Sequence, residues 1–329
     1  MNTHVLRATL IALSVSVAAV GAQRSGAASL LVLSKADRTL AVVDPQSLKV
    51  LGRVPSGPDP HEVVASSDGR VAYIANYNGG GNIITPVDLV AMKALPAIDL
   101  GPLRAPHGLA FAGGKLWFTA EGAKAIGTYD PATGNVERVV DTGQNGTHMV
   151  FVSSDIQRLV TTNMGSGTVT IAEKPTGRGG DWNQTVVTVG PRGEGFGVSP
   201  NGKEVWVANA GDGTVSIIDL GAKKVSDTLA VNVNGANRLK FTPDGKLVLI
   251  STLSGPDVTV IDGVSRRVVK RVNVGRGAAG IEVQPDGARA YVACTPDNYV
   301  VVIDLKSLEV VGHIDAGGSP DGLAWVVRR

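Results

Sequence analysis

Short runs of apolar residues, alternating or continuous and each closed by glycine, proline, asparagine or aspartate, fill almost the whole chain. "VWVAN" (205–209), "TVSIID" (214–219) and "SDTLAV" (226–231) are typical. A period of two between turn residues predicts β-strands, and no segment sustains the period of an amphipathic helix. The strands come in groups that repeat. "SPNGKEVWVANAGDGTVSIIDLGAKKV" (199–225) returns as "TPDGKLVLISTLSGPDVTVIDGVSRRV" (242–268) and as "QPDGARAYVACTPDNYVVVIDLKSLEV" (284–310). An aspartate closes the third strand at Asp44, Asp88, Asp130, Asp219, Asp262 and Asp304, with Glu173 one position offset in the fourth copy, which gives a period of 42–46 residues.

Each unit predicts four strands, A to D. Strand A ends at a Pro-Asp-Gly or Ser-Asp-Gly turn, a glycine-rich loop joins B to C, and a short turn joins C to D. Four-stranded units at this period predict a β-propeller, in which every blade buries both faces against its neighbours. Six units are complete. The segment 29–54 supplies strands B, C and D but no A, and "SPDGLAWVV" (319–327) matches "APHGLAFAG" (105–113) and supplies the missing A. The two fragments complete a seventh blade, so the expected fold is an all-β, seven-bladed propeller spanning residues 23–329.

The B strands carry a further signature. "AYIANYNGGGN" (72–82), "VWVANAGDGTVSIID" (205–219) and "AYVACTPDNYVVVID" (290–304) resemble the YVTN seven-bladed β-propeller repeat family, over about residues 29–327. The resemblance implies the fold more strongly than any activity, because such families host lactonase-like, surface-layer and binding proteins alike.

Composition narrows the setting. A formal net charge of +2 gives no case for nucleic acid or an anionic membrane as partner. "MNTHVLRATLIALSVSVAAVGAQ" reads as a secretory signal, residues 1–22, with Arg7 as its charged start and small residues before Gln23. Its apolar run is shorter than the roughly 20 residues of a membrane span. A periplasmic or secreted monomer without a membrane span is therefore expected. Cys294 is the single cysteine, so no internal disulfide can form, and its apolar strand predicts a packing role.

Chemistry enters through one column of the repeat. Aligned on the A–B turn, the units place His61, His107, His148, Glu194, Asn237, Ala279 and Asp321 at the start of strand A. Strand A is the innermost strand of a propeller, so these residues should ring the mouth of the axial channel. Of five histidines, one lies in the signal, and chance would put about 0.1 of the other four into seven such slots. His313, near strand D, is expected on the surface. Three imidazoles and a carboxylate from adjacent rigid blades suit a divalent transition metal, Zn, Cu, Fe or Ni, held by His61, His107, His148 and Glu194. The plainer reading is a metal-free polar funnel, with histidines bonded to water and carbonyls.

Arg104, Arg192 and Arg276 fall on the D–A segments of the same face and join Asn237 and Asp321 as an expected substrate rim. Arginines there suit a carboxylate or phosphate, or are simply solvated. Gly79-Gly80-Gly81 is no phosphate loop, since no helix follows it. The insertion 173–184 carries Trp182, expected to pack on its own loop or to anchor a partner. Three functions stay open. One is a metal-dependent hydrolase or lyase of lactone- or ester-like small molecules, with Glu194 as ligand or catalytic base. A non-catalytic protein binding an envelope polymer or protein by its rim is the second. A metal-dependent oxidase is the third.

Overall fold

The computed structural model describes residues 28–77, 80–175 and 180–329. The expected signal lies outside them, as do 176–179 of the insertion. Among the described residues no helix is long and apolar enough to cross a membrane.

Seven four-stranded antiparallel sheets, each running A-B-C-D outward, make a seven-bladed β-propeller. Blade 1 is the composite one. Its strand A, Pro320–Val327, pairs antiparallel with strand B, Ala28–Ser34, in the register Ala28↔Val327 to Val32↔Leu323. The A strands of blades 2 to 7 are Pro60–Ala65, Pro106–Ala112, Thr147–Val152, Gly193–Val198, Ala236–Phe241 and Ala278–Val283. Each touches the next, and the last touches Pro320–Val327, so the ring is closed.

Continuous apolar runs in strands B and C follow from two-faced burial. Apolar side chains collect into seven clusters, one at each interface between neighbouring blades. Between blades 1 and 2, for example, Leu31, Leu33 and Leu40 meet Ala72, Ile74 and Val87. Strand D is half-exposed, as in Glu309–Ile314, where His313 lies on the open face against the edge of Tyr299. In blade 2 strand D is broken into Lys93–Ala94 and Ile98–Asp99. Pro96 lies between the pieces and has no N–H for the ladder.

The repeated aspartates are turn residues. Each of Asp44, Asp88, Asp130, Asp219, Asp262 and Asp304 accepts the backbone N–H two residues on, an Asx turn that starts the C–D connection. The asparagines that end strand B are buried and tie B to C. Asn163 donates to Thr168 and Thr170, and Asn209 to Thr214 and Ser216. Cys294 is fully buried, and burial pushes its thiol up to about 12, which makes it a packing residue. Trp182 packs edge-on against Trp117 of the neighbouring blade 3, with the Lys174 ammonium over its ring.

Candidate functional site at the axial mouth

Each inner strand enters the channel through the same local device. Two residues before the ring position the backbone is left-handed in all seven blades, at Asp59, Ala105, Gly146, Arg192, Gly235, Gly277 and Ser319. The pairing of strands A and B then slips, leaving the ring residue outside the ladder in every blade. A bulge of this kind turns a side chain out of the sheet, here toward the axis. All seven expected ring residues, His61, His107, His148, Glu194, Asn237, Ala279 and Asp321, line one cavity of about 410 Å³.

Glycines allow the ring to be tight. A Cβ on Gly108 would lie 2.6 Å from the carbonyl oxygen of His148, and one on Gly322 would lie 2.3 Å from that of His61. Hydroxyls on strand B pin the ring backbone. Thr119 donates to the His148 carbonyl at 2.6 Å and accepts from the Gly108 N–H at 2.8 Å. Thr162 holds the Glu194 carbonyl, and Ser251 that of Ala279, in the same way.

Side-chain geometry distinguishes the three histidines. The rings of His107 and His148 stack, centroids 3.8 Å apart and planes 28° apart, both at least nine-tenths buried. Nδ1 of His148 is hydrogen-bonded to Glu121, whose other oxygen accepts the Tyr77 hydroxyl at 2.7 Å. On its far side, Nε2 of His148 lies 3.7 Å from a Glu194 oxygen. Burial opposes a charge on His148, but the two carboxylates outweigh it and hold its pKa above the ordinary imidazole value. His107 has no carboxylate against it. Burial, and next the neighbouring His148, hold it well below that value and so neutral. His61 is set apart. Its Nε2 receives the Lys35 ammonium at 2.7 Å, and Lys35 also pairs with Asp321 at 3.3 Å.

Glu194 accepts from Asn237 and faces Arg238 at 3.5 Å. Arg238 in turn reaches across the axis to pair with Glu62 of blade 2. Arg238 lines both this cavity and a second one, of about 520 Å³, that opens at the other end of the channel among Phe151, Phe241 and Trp325. The larger cavity is thus not the one that holds the histidines.

Among the described residues no three His, Cys, Asp or Glu side chains meet at a spacing that would hold a metal ion. His61 has its Nε2 on an ammonium. What stays open is Nδ1 of His107 and Nε2 of His148, both buried without a hydrogen-bond partner, beside the Glu194 carboxylate.

The rim residues divide. Arg192, Asn237 and Asp321 line the cavity; Arg104 and Arg276 do not. Arg104 donates to the Gly80 carbonyl, and Arg276 pairs with Asp297. Lys35, Tyr77, Met164, Leu253 and Thr295, which line the cavity, and Glu121, which holds His148 and Tyr77 from behind it, are residues that the single-column alignment missed. Each is the first residue after strand B of its blade, so a second aligned column would have found them.

No family model matches the chain, and no curated protein matches it in sequence. Solved structures share its fold. A protein of unknown function from Desulfotomaculum acetoxidans superposes with a TM-score of 0.72 at 14% identity, covering 92% of this chain and 99% of its own. A 6-phosphogluconolactonase candidate from Bacteroides fragilis gives 0.73 at 16%, covering 93% and 99%. Hydrazine synthase of Kuenenia stuttgartiensis gives 0.72 at 21%, covering 84% and 92%. At these identities the likeness is one of fold.

Proposed function

We propose that the axial mouth is the active site of an acid–base hydrolase or lyase acting on small lactone- or ester-like molecules. One observation carries this reading: two stacked, buried imidazoles in opposite settings, His148 clasped between Glu121 and Glu194 and His107 free of any carboxylate. Neighbouring titratable groups pushed apart by their surroundings are the mark of an acid and a base side by side. In hydrolysis, neutral His107 takes a proton from the attacking water and protonated His148 gives one to the departing alkoxide. Water adds across the C–O bond, and no other reactant is consumed. Glu121, oriented by Tyr77, fixes the His148 ring. The 6-phosphogluconolactonase candidate of the same fold lends support to the substrate class, by analogy alone.

Assays on a panel of lactones and aryl esters test this. The expected result is a fall in kcat of at least about 100-fold in both His107→Ala and His148→Ala, with the circular dichroism spectrum unchanged. Full activity in either variant overturns the reading. A second reading, a transition metal that would have to draw His107, His148 and Glu194 together because they do not meet at ligand spacing as they stand, rests on the two unpartnered imidazole nitrogens; a metal bound there would polarise a carbonyl oxygen. Chelation followed by return of single metals separates the two. Activity that survives exhaustive chelation favours acid–base chemistry, and activity restored by one metal favours the second reading.

A further inference from the structure

The charges lining the axial mouth are nearly all answered. Lys35 is paired with Asp321 and Asp59, Arg238 with Glu62 and Glu194, and His148 with Glu121 and Glu194. Arg192 is different. Its side chain lines the cavity and is exposed, and among the described residues it has no ion pair or side-chain hydrogen bond. The other two rim arginines are both tethered outside the cavity. Arg192 also occupies the left-handed position before the bulge, with φ of 55°. Glycine fills that position in three blades, at Gly146, Gly235 and Gly277. A side chain with a Cβ is disfavoured there, and strain of this kind gathers at functional sites.

We infer that Arg192 is the recognition residue for an oxyanion, a carboxylate or phosphate group carried by the molecule that enters the axial mouth. A guanidinium offers two parallel N–H donors to two oxygens of such a group. Its place, two residues before Glu194 and on the same strand entry, sets the anion at the edge of the His107–His148 pair. This rests on the proposed hydrolase or lyase reading for its chemistry but not for its binding, so the two are tested apart.

Inorganic phosphate and acetate are titrated separately into the full-length protein by calorimetry at constant ionic strength. One-to-one binding of either is expected, weakened at least tenfold in Arg192→Gln and in Arg192→Gly. The arm that binds names the anion. Arg192→Gly should at the same time melt higher than the parent, because glycine relieves the left-handed strain. A merely structural arginine would not couple gained stability to lost binding. If neither anion binds, or if either binds Arg192→Gln as well as the parent, the inference falls. Anion binding in a protein that turns over no lactone or ester would sustain the inference while defeating the hydrolase reading. Turnover of a lactone bearing a carboxylate or phosphate, with unaltered KM in Arg192→Gln, would do the reverse.

Discussion

His107 and His148 stack on each other yet differ in proton affinity, and that difference makes a pH experiment decisive. The groups facing the pair are Glu121 and Glu194 on one side and Arg238, Lys35 and His61 on the other. His107 is held below 6.5 and His148 above it. The active form proposed above therefore exists across a window that spans 6.5. Activity should fall toward acid as His107 gains a proton, and toward alkali as His148 loses one. Glu121→Gln removes the carboxylate from Nδ1 of His148, so the alkaline limb should shift to lower pH while the acid limb stays. An unmoved alkaline limb would show that Glu121 does not set the charge of His148. Stability provides a check without substrate. A raised folded pKa contributes stability that is fully present below the unfolded value and lost as pH rises through the folded one. The melting temperature of the parent should thus lose a component above pH 6.5 that His148→Gln lacks.

At the scale of the strand, the ring depends on glycines that let adjacent inner strands approach. Gly280 is the tightest, since a Cβ there would lie 2.1 Å from the carbonyl oxygen of Asp321 on the closing strand. Backbone cannot yield as a flexible side chain would, so Gly280→Ala should cost on the order of 3 kcal/mol, measured by denaturant unfolding. A cost near zero would mean that blades 1 and 7 are less closely apposed than described. The strands themselves were legible in the sequence because two-faced burial writes continuous apolar runs, and Asx turns write aspartates at fixed places. The ring column was legible for the same reason: His61, His107 and His148 keep register with the A–B turn. What could not be read was partnership. Glu62 and Arg238 are 176 residues apart and meet only because blades 2 and 6 face each other across the axis. Lys35 reaches His61 from a different blade. Repeat alignment gives positions around a circle, whereas side-chain length and charge decide which of them meet. That is why the sequence suggested three equivalent imidazoles where the structure has three different ones. Arg104 and Arg276 lie in the expected segments, but near partners claim their guanidinium groups.

The molecule as a whole is a ring without a single core, its stability spread over seven interblade clusters. Such a ring is strongest when closed, because an open one leaves two unburied blade faces and a free sheet edge. Closure falls on Pro320–Val327, which pairs with Ala28–Ser34 and sends Leu323, Ala324 and Val326 into the clusters on either side of blade 1. Removing residues 319–329 strips strand A from that blade and exposes Leu30, Leu31, Val32 and Leu33, all fully buried in the intact ring. Each large apolar side chain returned to water costs about 1.5–3 kcal/mol, so these losses together rival the 5–15 kcal/mol that holds a typical domain folded. The truncated chain should therefore lose its cooperative melting transition and aggregate through the bare edge of strand B. It also loses Asp321, the partner of Lys35, so the axial site goes with the ring. A synthetic peptide of residues 319–329, added during refolding, should restore a soluble monomer by adding back the missing strand. Sedimentation and calorimetry of the truncated chain with and without the peptide decide the matter. If the truncated chain stays monomeric with the full-length melting temperature, closure by the C-terminal strand is not what locks the propeller.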